Sequence, residues 1–266
     1  LSSYNGTKFS YRVLFEIILN FLSLYKRKLL YKLKKKINID NNENNPKDLD
    51  GLFEFYGTDK ANVFLKNKDK KGQGFSRFYE KHLVDRKNDF LNILEIGSFA
   101  GASAAAFSKY FKNSKIFCLD VNISNFKYKS KKIDVFGLDI TNSKMVDDFF
   151  KKIGKNKTEP FFDIIIDDGS HKLSDMLISF KTFFRNVNAN GFYIIEDYKF
   201  PNSFSHLKNI DDIMIDDLID YLNKKKRFES KILNTEYQDF VFNSIKDIFT
   251  YEGSKKNSNI CFIERK

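Results

Sequence analysis

The strongest constraint on this fold is a rhythm. Between Asn92 and Glu196, short apolar runs alternate with segments of helical spacing, and acids cluster where the runs end. "NILEI" (Asn92–Ile96) leads into a glycine turn and an alanine-rich helix reaching about Lys112. "KIFCLD" (Lys115–Asp120) reads as a second strand, Ile133–Phe136 as a third, "DIIID" (Asp163–Asp167) as a fourth and "GFYIIE" (Gly191–Glu196) as a fifth. "MVDDFFKKI" supplies the helix before the fourth strand. Apolar residues from Leu173 to Val187, and again from Ile210 to Leu222, repeat at three and four. The closing "IKDIFTYEG" and "NICFIER" read as a hairpin, and no internal repeat is visible. Near-continuous apolar strands separated by helices require a parallel sheet covered on both faces.

Ligands of such sheets sit beyond the carboxyl ends of the strands, so the strand ends matter most. They are Glu95-Ile96-Gly97, Asp120, Asp139, Asp167-Asp168 and Glu196-Asp197, all delivered to one edge. "FDIIIDDGSH" adds His171. Asp167 and Ser170 can be read as caps of the next helix, or the whole segment as the rim of an active site. In "LEIGSFAGAS", Gly97 and Gly101 allow close backbone approach, and the helix start offers N–H groups to an anion. The segment lacks the full G-x-G-x-x-G fingerprint of a dinucleotide fold. Asp120 is placed to accept both hydroxyls of a ribose, and Asp139 an adenine amino group beside Ile140.

Taken in order, "LEIGSFAGAS", "FCLDV", "GLDIT", "FDIIIDDGSH" and "GFYIIEDY" resemble the motif set of class I S-adenosylmethionine-dependent methyltransferases, over roughly Leu91 to Tyr198. The resemblance implies an α/β, Rossmann-like fold: a mostly parallel seven-stranded sheet, helices on both faces, a terminal hairpin and an N-terminal helical extension. It also implies that Glu95, Gly97, Ser98, Gly101 and Ser103 surround the methionine part of the cofactor. Asp120 then binds the ribose, Asp139 and Ile140 the adenine, and Asp167 faces the cofactor. Related sequences often carry Gly-Gly-Ser where this chain has Gly101-Ala102-Ser103.

Methyl transfer to an alcohol needs help, because a hydroxyl is a poor nucleophile until it is deprotonated. A divalent cation and a nearby base are the two devices available. Asp168, Glu196 and Asp197 offer three carboxylates without an accompanying thiol, which favours a hard ion such as Mg²⁺. His171 titrates near neutrality and stands three residues beyond Asp168. The pattern is similar to metal-dependent O-methyltransferases related to macrolide sugar O-methylases. That similarity implies Asp168 as metal ligand and catalytic residue, His171 as general base, and Glu196 with Asp197 completing the metal site. Catechol O-methyltransferases have a lysine where this chain has His171.

"FYGTDKANVFLKN" with "GFSRFYEKHL" (55–83) resembles a segment that covers the active site in the sugar-modifying relatives. Asp59, Lys60 and Tyr79 are then candidate cofactor or acceptor contacts, against the plainer reading of a loop and a packing helix. His206 either enters the pocket or starts a helix. The function expected is a Mg²⁺-dependent O-methyltransferase acting on a sugar hydroxyl, of a nucleotide sugar or a glycan, in bacterial capsule, lipopolysaccharide or glycoside assembly. The alternatives are a metal-independent methyltransferase on a small amine or RNA, and a non-catalytic binding protein with this fold.

The net charge of +11 does not point to nucleic acid. Nine basic and three acidic residues precede Lys47, so more than half of the excess belongs to the N-terminal segment. "YRVLFEIILNFLSLYKRKLLYKLKKK" (Tyr11–Lys36) predicts a helix, apolar first and basic after Tyr25. It suits peripheral contact with an anionic membrane or packing against another subunit of a homo-oligomer; a helix on the protein's own body is the plain alternative. "NIDNNENNPKD" reads as a linker, dividing residues 1–51 from a main domain at 52–266 whose first part, 52–90, covers the site. Cys118 and Cys261 lie in apolar runs and read as buried thiols of a cytoplasmic protein. No cleavable signal pattern and no run long enough to span a membrane is evident.

Overall fold

The computed structural model describes residues 11–42 and 45–266, with side chains described from Leu22 onward. Lys8 and Glu43, which enter the charge balance above, lie outside the described residues.

The helices are α1 (Tyr11–Leu33), α2 (Leu49–Tyr56), α3 (Ser76–Leu83), α4 (Ala102–Tyr110), α5 (Ser143–Lys152), α6 (Leu173–Phe183), α7 (Phe200–Ser203), α8 (Ile215–Asn223) and α9 (Thr235–Ser244). The strands are β1 (Ile37–Asn38), β2 (Phe90–Ile96), β3 (Asn113–Asp120), β4 (Tyr128–Lys129), β5 (Ile133–Gly137), β6 (Phe162–Asp167), β7 (Val187–Glu196), β8 (Ile245–Glu252) and β9 (Asn259–Arg265). Seven strands form one sheet in the order β5-β3-β2-β6-β7-β9-β8. β5, β3, β2, β6 and β7 run parallel, and β9 returns antiparallel against β7 with β8 along its outer edge. The expected seven-stranded sheet and terminal hairpin are both present.

Side-chain alternation along these strands divides the core in two. Leu94, Ile96, Ile165 and Ile195 face a layer built on α5, α6, α8 and α9. Ile93, Ile164, Ile166 and Ile194 face the other layer, which contains α2, α3 and α4. With both faces covered, the inner strands have no need for polar residues until they reach the carboxyl edge. Cys118 and Cys261 are buried free thiols, as expected.

Two sequence expectations differ from the structure, and one helix is additional to them. The helix expected from Ile210 begins at Ile215. Met214 is extended (φ −72°, ψ 153°), and Asp212 binds the backbone N–H groups of Ile213 and Lys231, holding the preceding segment in a bend. α9, unread in the sequence, starts at an Asn234 cap whose side chain accepts from Tyr237 N–H. The boundary expected near Leu52 falls inside α2. Ile39 and Leu49, ahead of it, are already part of the core, and β1 pairs with β4.

Candidate active site

Across the sheet the strand order reverses direction beside β2, whose two neighbours are β3 and β6. At such a switch point, the loops leaving adjacent strands diverge and open a crevice. Here the crevice is a cavity of about 630 Å³. Gly97, Asp120, Asp139 and Ile140 line one half, and Asp167, Asp168, His171, Glu196 and Asp197 the other.

The first half is shaped by backbone. Gly97 has φ +87°, and a Cβ there would lie 1.9 Å from the carbonyl oxygen of Asp168. Only glycine lets the turn after β2 rest against the turn after β6. Asp120 fastens its own neighbourhood, accepting from Phe99 N–H at 2.7 Å and Asn122 N–H at 2.6 Å. Asp139 accepts from the backbone N–H and hydroxyl of Thr141.

Four residues expected around a cofactor do not line the cavity. Glu95 is fully buried and accepts the Ser103 hydroxyl, while Ser98 donates to the Glu95 carbonyl at 3.0 Å. Gly101 is covered by Phe126, whose ring a Cβ would meet at 2.4 Å. Together, these residues brace the strand–helix turn from behind. Burial pushes the Glu95 carboxyl up to about 7 against the opposing charge of Lys60, and its Oε2 has no partner among the described residues. Asp167 reaches the wall but is mostly turned inward, accepting from Tyr193 O–H at 3.2 Å; burial raises it to about 7.

The second half is shaped by charge. Lys60 Nζ donates to Asp168 Oδ2 and to Glu196 Oε2, each at 2.5 Å, and Tyr79 O–H donates to Glu196 Oε1 at 2.5 Å. Lys60 and Tyr79 are almost completely buried, and neither lines the cavity. They were expected to contact cofactor or acceptor; instead they stand behind the wall and hold two of its acids. Burial opposes the Lys60 charge, but Asp168 and Glu196 outweigh it and keep the ammonium protonated. Asp197 accepts weakly from Gln73 through Oδ2, while Oδ1 is buried without a partner among the described residues. Burial, reinforced by Asp168, pushes this carboxyl up to about 8.

His171 Nε2 lies 3.6 Å from Asp168 Oδ1, and the imidazole packs 5.0 Å from the Phe200 ring. Burial lowers its pKa, with Asp168 opposing, so the ring tends toward the neutral form. His206, by contrast, is exposed in a short helical turn (Ser205–Leu207) and does not line the cavity. Among the described residues, no three His, Cys, Asp or Glu side chains are gathered as a ready-made cation site.

Backbone strain marks the same place. Phe99 (φ +41°), His171 (φ +54°) and Asp197 (φ +51°) occupy a region that side-chain-bearing residues avoid, and all three line the cavity. Such conformations concentrate at functional sites because surrounding structure must enforce them. Nothing in the sequence marks Gln73 or Phe200 as wall residues. Phe99 stood in the glycine turn, but nothing distinguished it from a spacer.

No protein-family model matches the chain. It is similar to mycinamicin VI 2''-O-methyltransferase of Micromonospora griseorubida, 28% identical over 130 residues, which covers 46% of this chain and 31% of that protein. It is also similar to L-olivosyl-oleandolide 3-O-methyltransferase of Streptomyces antibioticus, 30% identical over 130 residues, 46% of this chain and 32% of that one. The match thus spans about a third of the length of each relative. Among solved structures, the MycE methyltransferase in complex with Mg, SAH and mycinamycin VI superposes with a TM-score of 0.59 at 22% identity, over 84% of this chain and 55% of that one. The fold is that of the class I methyltransferases.

Proposed function

We propose that this chain is an S-adenosylmethionine-dependent O-methyltransferase whose acceptor is a sugar hydroxyl. The observation that carries the reading is the shared cavity. A glycine-turn half suited to the cofactor and an acid-and-imidazole half suited to a hydroxyl open into one space. The similarity to enzymes named for methylating sugars of macrolide and tetracenomycin glycosides supports the acceptor class. Nucleotide sugars and the glycans of capsule, lipopolysaccharide or glycoside assembly belong to the same chemical class.

In this reading, Gly97 admits the cofactor close to the backbone, Asp120 holds the ribose and Asp139 with Ile140 the adenine. The bound cofactor supplies an activated methyl group on sulfur. His171, neutral in its buried setting, accepts the acceptor's proton at Nε2, and Asp168 beside it stabilises the imidazolium that results. Phe200 packs against the ring and fixes its plane.

The donor set fits a divalent cation such as Mg²⁺. Glu95, Asp168, Glu196 and Asp197 share a single ammonium, so the region is rich in acid and short of positive charge. Asp168 and Glu196 already converge on one cationic group, and Asp197 Oδ1 is an orphaned buried oxygen. Asp168, Glu196 and Asp197 would hold the ion, which would supply charge stabilisation to a deprotonating hydroxyl. One observation favours a metal-independent second reading: Lys60 already neutralises part of this charge.

The test is methyl transfer to a panel of nucleotide sugars and glycosides, with and without a chelator. Sugar O-methylation that stops on chelation and returns with Mg²⁺ is the expected result. Undiminished turnover under chelation selects the metal-independent reading. Transfer to amines or RNA alone, with sugars inert, overturns the acceptor class.

A further inference from the structure

A second cavity, about 400 Å³, lies between α1 and the sheet edge, on the other side of Leu138, which lines both cavities. Ile123, Val135, Phe136 and Phe149 give it an apolar lining. Lys28, Lys32 and Lys152 also line it, facing a single acid, Asp148. Among the described residues, no carboxylate comes within ion-pair distance of these three ammonium groups. Burial, and then the charge of Lys152, pull Lys28 below its ordinary value. Three like charges converge on this space, with Asp148 as the one acid among its lining residues.

α1 has a matching outer face. Its inner side is fixed to the body: Arg27 Nη1 donates to the Val121 carbonyl at 3.0 Å, and Tyr31 meets Phe126 edge-on at 6.4 Å. On the opposite side, Leu22, Tyr25, Leu29 and Leu33 are 47–73% exposed. Their spacing of three, four and four makes a single stripe. At 100° per residue, Lys26 flanks the stripe on one side and Lys32 on the other. From Ile17 to Ile39 the chain carries seven basic residues and no acid. No described helix is long and apolar enough to cross a membrane. Large apolar side chains flanked by lysines characterise a helix lying in a lipid interface.

Two features connect the stripe and the cavity. Tyr25 and Leu29 belong to both, so the lysine-lined space adjoins the exposed apolar face. A second copy of this chain is a poor occupant, because two such faces would bring like charges together. We propose that α1 seats the protein on an anionic lipid surface, and that Lys28, Lys32 and Lys152 receive a lipid phosphate there. The inference goes beyond the methyl-transfer reading and does not depend on it.

The test is flotation of the full chain with phosphatidylglycerol-containing vesicles and with pure phosphatidylcholine vesicles. Binding confined to the anionic vesicles and weakened by salt is expected. The Lys28→Gln/Lys152→Gln variant should bind about thirtyfold more weakly at an unchanged melting temperature. The Leu29→Glu/Leu33→Glu variant should lose flotation, again without a change in melting temperature. Glycerol 1-phosphate and inorganic phosphate provide the soluble arm. If either saturates the protein with vesicle binding unaffected, the cavity takes free phosphate and the lipid assignment fails. Equal binding to both vesicle types, or none, overturns the proposal. So does a vesicle-independent dimer that Leu29→Glu/Leu33→Glu dissolves.

Discussion

The two halves of the main cavity are built by different means. In the half assigned to the cofactor, Gly97, Asp120 and Asp139 are placed by turns, and the two acids bind backbone groups within a few residues of themselves or in the adjoining loop. In the half assigned to the acceptor, Asp168 and Glu196 are held by Lys60 and Tyr79, which lie more than 100 residues away in sequence. The first half is local geometry; the second is a long-range charge network in a dry setting. A network of that kind is costly to break, since each group it leaves unpaired is a buried charge. Substitutions should therefore separate the halves: changes in the first affect binding, and changes in the second affect turnover or stability.

The largest expected effect is on chemistry. His171→Ala should lower kcat by about 10² to 10⁴-fold, the usual worth of a positioned base. Affinity for the cofactor product, read by calorimetry, should be unchanged. An equal loss of both would merge the halves into one unit.

Next is the network. Lys60→Met leaves Glu196 and Asp168 without their cation and should destabilise the fold by about 3–5 kcal/mol, as removal of one partner from a buried pair does. Chemical denaturation measures this. A near-neutral result would show that the acids are held by something other than Lys60.

A smaller effect separates the brace from the wall. Glu95 has its carboxyl raised from 4.5 to about 7 by burial, with Lys60 opposing. Its folded-state value lies above the unfolded one, so its contribution to stability is complete below about pH 4.5 and disappears as pH rises through about 7. Stability of the ligand-free protein should therefore fall across that window, by at most about 3 kcal/mol from this group. Glu95→Gln should make the dependence shallower in melting curves taken from pH 5 to 8, leaving the share of Asp167 and Asp197, which burial raises in the same direction.

The smallest effect belongs to the backbone-shaped half. Asp120→Ala should weaken cofactor binding about tenfold, roughly the worth of a hydrogen bond to a charged group. Turnover at saturating cofactor should survive. A collapse of kcat would mean that Asp120 reaches into the acceptor half.

The same contrast explains what the sequence revealed. Strand ends are local: an apolar run closing in Asp120, Asp168 or Glu196 states both the strand and the edge to which it delivers an acid. Gly97 was legible for the same reason, since a tight turn between strand and helix calls for a glycine. Which way a side chain turns after the strand ends is not local. Glu95 and Ser103 face each other behind the turn because α4 packs down on β2, and Gly101 is closed off by Phe126, which belongs to the following connection. Lys60 and Tyr79 belong to segments that reach the acids only once the sheet has formed. α9 is not legible in the sequence because its apolar residues Phe240, Val241 and Phe242 run consecutively, so they do not mark one helical face, and only Tyr237, Gln238 and Val241 are buried.

Asp168 is where the halves meet, since its backbone touches Gly97 and its carboxylate touches Lys60 and His171. The most direct measurement is therefore a paired one on Asp168→Asn: affinity for the cofactor product by calorimetry, and methyl transfer to a sugar acceptor by mass spectrometry. The account predicts wild-type affinity with transfer reduced at least a hundredfold. Transfer at the wild-type rate, or loss of cofactor binding with the fold intact, would contradict it.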